Sequence, residues 1–182
     1  LNASSLRSVS KQLIDELSAE IGKTVNLGIL YDINIIYLYR KEVATYLKHE
    51  LYDGSFLPAY CTSLGKILLA GLSDDELNER IAKMDFKPIT TRTITDKNEL
   101  YKDIFAAREK GFCVADRELS MDLFAVAVPI IDARGKVVAG INVTMSANEN
   151  PKKEFRKILE KLIIKGGIIS SMLGYLGDYP NF

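Results

Sequence analysis

Histidine occurs once in the 182 residues, at His49. A single imidazole removes most acid–base and nucleophilic arrangements that need one. The two cysteines, Cys61 and Cys113, show no ligand or disulfide spacing, and with no secretory leader pattern they read as free thiols of a reducing cytosol. A metal would have to draw on His49, Cys61, Cys113 and Asp116, which are scattered, so neither a metal nor another cofactor is expected. Excess charge is missing too: 24 basic residues face 24 acidic ones, and that balance lacks the footprint of a nucleic-acid or membrane-surface binder. The longest apolar run, Leu123 to Ile131, has the length of a strand and not of a membrane span. What is present is hydrophobic residue in quantity, 47% of the chain, enough for one domain with a proper core.

The chain is organised around Leu57 to Leu72, LPAYCTSLGKILLAGL, a short polar threshold followed by a strongly apolar helix. Thr62 or Ser63 is placed to cap that helix, and Ile67, Leu68, Leu69, Ala70 and Leu72 are core material. A buried helix must offer its first N–H groups, near Ser63, Leu64 and Gly65, to caps, water or an anion. Gly65 admits a close approach of ligand to backbone, or equally a tight helix contact. The Gly65-Lys66 pair does not make a phosphate loop, because Tyr60 stands where that pattern needs glycine and Ile67 where it needs Ser or Thr.

Before this stretch, residues 2–21 place Leu6, Val9, Leu13, Leu17 and Ile21 at helical spacing, and Gly22 ends the helix. Thr24 to Leu30 and Ile35 to Arg40 are β-rich around the turn Asp32-Ile33-Asn34, and a third strand is expected from Thr45 to Leu51. After it, Ser73-Asp74-Asp75-Glu76 is a capping box opening a helix to Met84, and Asp96 to Glu99 repeats the spacing ahead of a helix to Lys110. Phe112 to Ala115 is a short strand. Leu123 to Ile131 and Val137 to Met145 form a hairpin expected at the sheet centre, and a last helix starts at the Asn150-Pro151 cap and runs to Leu173. Gly166-Gly167 reads as a weak point in it, and the tail GYLGDYPNF as loose. The order predicts one α+β domain: an antiparallel sheet flanked by helices, with long N- and C-terminal helices.

Catalytic chemistry finds little support. Asp116 and Glu118 are two apart in DRE, but acids at a strand exit are ordinarily solvated. Ser63 or Cys61 would need a base, and a Lys66 partner to Ser63 is conceivable, although such a lysine commonly carries its charge to solvent. Binding chemistry is better supplied, since Asn142 and Thr144 share a face of one strand, with Ile141 and Val143 on the other. If a helix covers that face, its polar groups require partners, and a polar ligand is one way to provide them.

LPAYCTSLGKILLAGL, the segment TRTITD at Thr91 to Asp96, REKGF at Arg108 to Phe112 and AVAVPIIDARGKVVAGINVT at Ala125 to Thr144 together resemble the C-terminal effector-binding domain of the IclR family of bacterial transcriptional regulators. Within it, LPAYCTS and AVPIIDARGKVVAGINV look most like the branch that controls aromatic-acid catabolism through the β-ketoadipate pathway. The resemblance implies a GAF-like, profilin-like domain that senses a small organic acid and acts on DNA through a separate N-terminal winged helix-turn-helix. That part is absent from this chain, which is read as a fragment or truncated form. Homodimers or homotetramers in the cytoplasm are implied, with no membrane role.

Carried over to this sequence, the family's pocket falls on the Ser63, Leu64 and Gly65 backbone, Ala115 and Asp116, Phe124 and Ala125, and the pair Asn142 and Thr144. Asp122, Leu123 and Phe124 depart from the Gly-Leu-Arg common in relatives, which removes a guanidinium and changes which acid would fit. The reading is therefore a non-enzymatic sensor of an aromatic or β-ketoadipate-like acid, with sugar or keto acids second. Its rivals are a small hydrolase built on Ser63 or Cys61, and a pure oligomerisation module whose pocket is vestigial.

Overall fold

The computed structural model of the chain describes residues 2–43 and 51–181. Asn2 accepts a hydrogen bond from the Ser5 amide and opens helix α1 (Ala3–Ile21), which Gly22 closes in the left-handed conformation at φ +62°. Strands β1 (Thr24–Tyr31) and β2 (Asn34–Lys41) form the first hairpin, and β3 (Phe56–Pro58) pairs with β2. A 3-10 turn, Ala59–Cys61, leads into α2 (Ser63–Ala70), followed by α3 (Asp74–Lys83) and α4 (Lys97–Lys110). Strands β4 (Cys113–Asp116), β5 (Leu123–Ile131) and β6 (Val137–Ser146) follow, and α5 (Pro151–Met172) ends the fold. The strand expected over 45–51, and with it His49, lies outside the described residues apart from Leu51.

All five pairings are antiparallel and the order is β3-β2-β1-β6-β5-β4, which makes this an α+β domain. The second hairpin is not itself the centre: β6 is central, but its central neighbour is β1, and β5 lies one strand further out. Alternation sorts the side chains onto two faces. Val25, Leu27, Phe124, Val126, Val128, Ile141 and Val143 meet α1 and α5, while Ile35, Tyr37 and Ala127 meet α2 and α4. In β1 and β2 the register slips between Leu27 and Gly28. The extra residue sends Tyr37 to the α2 face and Tyr39 to the α1 face.

Two glycines set how closely α2 lies on the sheet. A Cβ at Gly140 would come within 2.9 Å of a Leu64 methyl, and one at Gly28 within 3.1 Å of the other. The bare strands let Leu64 sink between them. Both capping predictions in the middle of the chain hold: Ser73 and Glu76 make the reciprocal box on α3, and Asp96 accepts from Asn98 and Glu99 on α4. Asn150, by contrast, sits left-handed at φ +51° and makes no side-chain cap; Pro151 starts α5 without it.

The tail is not loose. The Tyr179 hydroxyl donates to the Pro129 carbonyl at 2.7 Å, its ring lies over Gly166 and Gly167, and Pro180 packs on Gly111. The two helical glycines form a seat for that ring, which their weak helix propensity does not reveal.

Candidate functional site

Thr62 caps α2: its hydroxyl accepts from the Gly65 amide at 3.0 Å and its carbonyl from the Lys66 amide. The remaining first-turn donors are the Ser63 and Leu64 amides. A cavity lies between the amino end of α2 and the middle of the sheet. Its walls carry Tyr37, Cys61, Thr62, Ser63, Ala115, Glu118, Leu119, Leu123, Ala125, Asn142 and Thr144. The empty space is about 290 Å³ counting its mouth, and its inner part has room for about one water.

Five of the nine residues carried over from the sequence meet there: Ser63, Ala115, Ala125, Asn142 and Thr144. Four do not. The Leu64 side chain is spent on Gly28 and Gly140. Gly65 faces the preceding turn, where a Cβ would lie 2.0 Å from the Ala59 oxygen, so its bareness serves packing and not a ligand. Asp116 is paired with Arg117 at 2.8 Å and Arg92 at 3.7 Å, away from the lining. Phe124 falls on the opposite face by the β5 alternation, edge-on to Phe155.

A polar relay crosses the floor of the cavity. Arg40 donates to Asn26 Oδ1 at 2.8 Å, Asn26 Nδ2 donates to Asn142 Oδ1 at 2.8 Å, and Asn142 Nδ2 donates to Ser63 Oγ at 3.2 Å. Guanidinium is a donor only, so Asn26 must turn its oxygen to Arg40 and its nitrogen to Asn142. Asn142 must then turn its NH₂ toward Ser63 and the cavity. Three side chains in cross-strand register thus hold a donor at the site, and the Ser63 hydroxyl on α2, already accepting, is left to donate. The signal for this in the sequence is Asn26, a lone amide in the apolar strand TVNLGIL.

The opposite wall is acidic and anchored from below. Lys66 is fully buried instead of solvated, with its ammonium 2.6 Å from both Asp103 and Glu118. Burial works to lower its proton affinity, but Cys113, Glu118 and Asp103 outweigh that, and the lysine is held charged. Glu118, expected in solvent, has a side chain only 9% exposed, and burial pushes its carboxyl up despite Lys66. Its backbone carbonyl accepts from Thr93 Oγ1 at 2.7 Å and the Arg117 carbonyl from Thr90 Oγ1 at 2.6 Å, so the loop from Thr90 into TRTITD clasps this segment. Burial, and then the charge of Glu118, push the Cys61 thiol up to about 12, and burial does the same for the Tyr37 hydroxyl. Both are neutral donors at ordinary pH.

Sequence reasoning did not find Tyr37 or Leu119, set Glu118 aside as solvated, and noted Leu123 only as a departure from the family pattern. The bulge that aims Tyr37 and the fold that buries Glu118 leave no mark in local pattern.

Residues 1–170 match the family described as "Bacterial transcriptional regulator IclR C-terminal". The chain belongs to the IclR family. It is 35% identical over 158 residues to the Pca regulon regulatory protein of Pseudomonas putida, covering 86% of this chain and 54% of that protein. It is 30% identical over 179 residues to the regulator KdgR of Escherichia coli, 98% of this chain and 67% of that one. The crystal structure of the C-terminal domain of Escherichia coli KdgR superposes with a TM-score of 0.85 at 27% identity, covering 93% of this chain and 99% of that one. The chain thus spans about half the length of the Pca regulator and nearly the whole of an IclR C-terminal domain. Among the described residues no helix is long and apolar enough to cross a membrane.

Proposed function

We propose that this IclR domain senses a small organic acid, with an aromatic or β-ketoadipate-like acid as first choice and a sugar or keto acid as second. The observation that carries this is the convergence of donors on one cavity: the Ser63 amide and hydroxyl and the Asn142 NH₂. A carboxylate gains charge-assisted hydrogen bonds from such a set, next to a helix N-terminus. The likeness to the Pca regulon regulator orders the candidates.

In the closed form described, a ring does not fit without movement. Leu119, on the connection between β4 and β5, and Leu123, the first residue of β5, stand on the wall and are only half-buried, and their outward shift would admit one. An effector that binds the opened form more tightly shifts the population toward it. Control of DNA binding would then pass to a separate winged helix-turn-helix domain, in the cytoplasm. Self-association fits the outer face of α5, where Ile164, Ile168 and Met172 lie exposed four residues apart. Light scattering of an Ile168→Asp variant tests it; an unchanged mass would remove that face as the interface.

No enzymatic role is assigned. Lys66 is committed to two carboxylates, Cys61 is a protonated thiol, and among the described residues the Ser63 hydroxyl is bonded by an amide and not by a base, which counts against the hydrolase reading. Titration calorimetry with protocatechuate, 4-hydroxybenzoate, β-ketoadipate and sugar acids tests the sensor. Binding is expected for at least one, weakened about tenfold or more by Ser63→Ala. No heat from the whole panel would overturn it.

A further inference from the structure

With its carboxylate paired to Lys66, Glu118 is the one acceptor-only side chain on the cavity wall among the described residues, and half of it is unused. Lys66 takes Oε1 at 2.6 Å, whereas Oε2 is buried with no partner among the described residues. The carboxylate cannot turn aside to find one. Lys66 is pulled from the far side by Asp103, and Thr90 and Thr93 fix the backbone on either side of Glu118. Every other polar group on the wall has a proton to give: Ser63, Asn142, Thr144, and the neutral Tyr37, Thr62 and Cys61, of which the last two already spend theirs on the Pro58 carbonyl. The cavity wall thus carries several donors and one desolvated acceptor.

From this arrangement we infer that the effector is a hydroxy acid, its carboxylate on the Ser63 and Asn142 donors and its hydroxyl donating to Glu118 Oε2. This deepens the acid-sensor reading and rests on it. An acid without the hydroxyl would leave the buried Oε2 without a ligand donor, and a second carboxylate at that position would be repelled by it. A site built to hydrogen-bond a substrate hydroxyl discriminates strongly against the analogue that lacks it. Glu118 is accordingly a specificity-determining residue.

The test is calorimetry of matched ligands on the full chain: 2-, 3- and 4-hydroxybenzoate against benzoate, and lactate against propionate. The hydroxylated member of at least one pair is expected to bind on the order of 10- to 100-fold more tightly. Glu118→Gln sharpens the test, because Lys66 is a donor only and so claims the amide oxygen, turning the NH₂ into the cavity. The preference should shrink to within about threefold in that variant, and an acid bearing an acceptor in place of the hydroxyl should gain. If both members of every pair bind the native chain equally, Glu118 is only the structural partner of Lys66 and this inference fails while the acid-sensor reading stands. If no acid of either kind binds, the sensor reading itself fails and takes this one with it. The native comparison decides between these outcomes even if Glu118→Gln does not fold.

Discussion

Replacing Gly166 by alanine would ordinarily stabilise a helix by about 1 kcal/mol. Here the sign should reverse. The new Cβ would stand 2.0 Å from the Tyr179 hydroxyl oxygen and 2.9 Å from both the Tyr179 Cζ and a Val128 methyl. Val128 is fixed in the core, so the tail must yield. Tyr179 would lose its bond to the Pro129 carbonyl, about 1 kcal/mol net, and the burial of a half-covered ring, about another 1 kcal/mol. Residual crowding against Val128 costs roughly 1 kcal/mol more. The net expectation is about 2 kcal/mol of destabilisation, a fall in Tm of roughly 4–8 °C for a domain of this size. In a Tyr179→Ala background the helix gain and the Val128 crowding nearly cancel, so the same substitution should be close to neutral. Urea denaturation of the four proteins then gives a coupling of about 2 kcal/mol. Gly167→Ala is the internal control, since its Cβ would meet nothing nearer than the ring edge at 3.2 Å, and it should be neutral or mildly stabilising. Limited proteolysis should cut the tail faster in Gly166→Ala alone. Equal stability of the Gly166 and Gly167 variants, or a coupling near zero, would refute the account of the glycine seat.

Asn26→Asp keeps an acceptor for Arg40 and should cost no more than about 1 kcal/mol, yet it offers Asn142 no donor and forces that amide to turn over. With an oxygen then facing the cavity, acid affinity should fall about 10- to 100-fold by calorimetry; unchanged affinity would mean the relay does not orient the site. Gly65→Ala presses a methyl onto the Ala59 backbone, which cannot give way, and should destabilise by about 3 kcal/mol or more in denaturant. A mild effect would mean the turn before α2 is softer than its contacts indicate. Asp132 is buried, which alone would raise its carboxyl, but bonds from Arg134 and from the Arg134 and Lys136 amides hold it below its ordinary 3.8. Its contribution is therefore complete above about pH 3.8 and is lost as the pH falls through the folded value. Asp132→Asn should flatten the stability–pH curve there, and an unaltered slope would count against the assignment.

Local chemistry carries far in this chain. Gly22, Ser73, Asp96 and Gly111 mark helix ends in the sequence because a cap is a contact between near neighbours. The strand pair Leu123–Ile131 and Val137–Ser146 is legible for the same reason, and the alternation in β6 already places Asn142 beside Thr144. Half of the candidate site could therefore be named before any contact was known. The errors fall where a residue's fate depends on a distant partner. Gly65 reads as ligand space until the Ala59 backbone occupies it, and Lys66 reads as solvated until Asp103, 37 residues on, and Glu118, 52 residues on, neutralise it.

The sequence by itself determined the element types, their caps and the family, since periodicity and turn chemistry act over a few residues and survive in the linear order. Only the tertiary structure decided that Asn26 would steer Asn142, that one oxygen of Glu118 would be left unmatched, and that Tyr179 would lie on two glycines. Each of these sets side chains far apart in the chain within a few ångströms of one another. Burial then makes an unpaired polar atom or a single methyl costly enough to matter, and no local pattern records that.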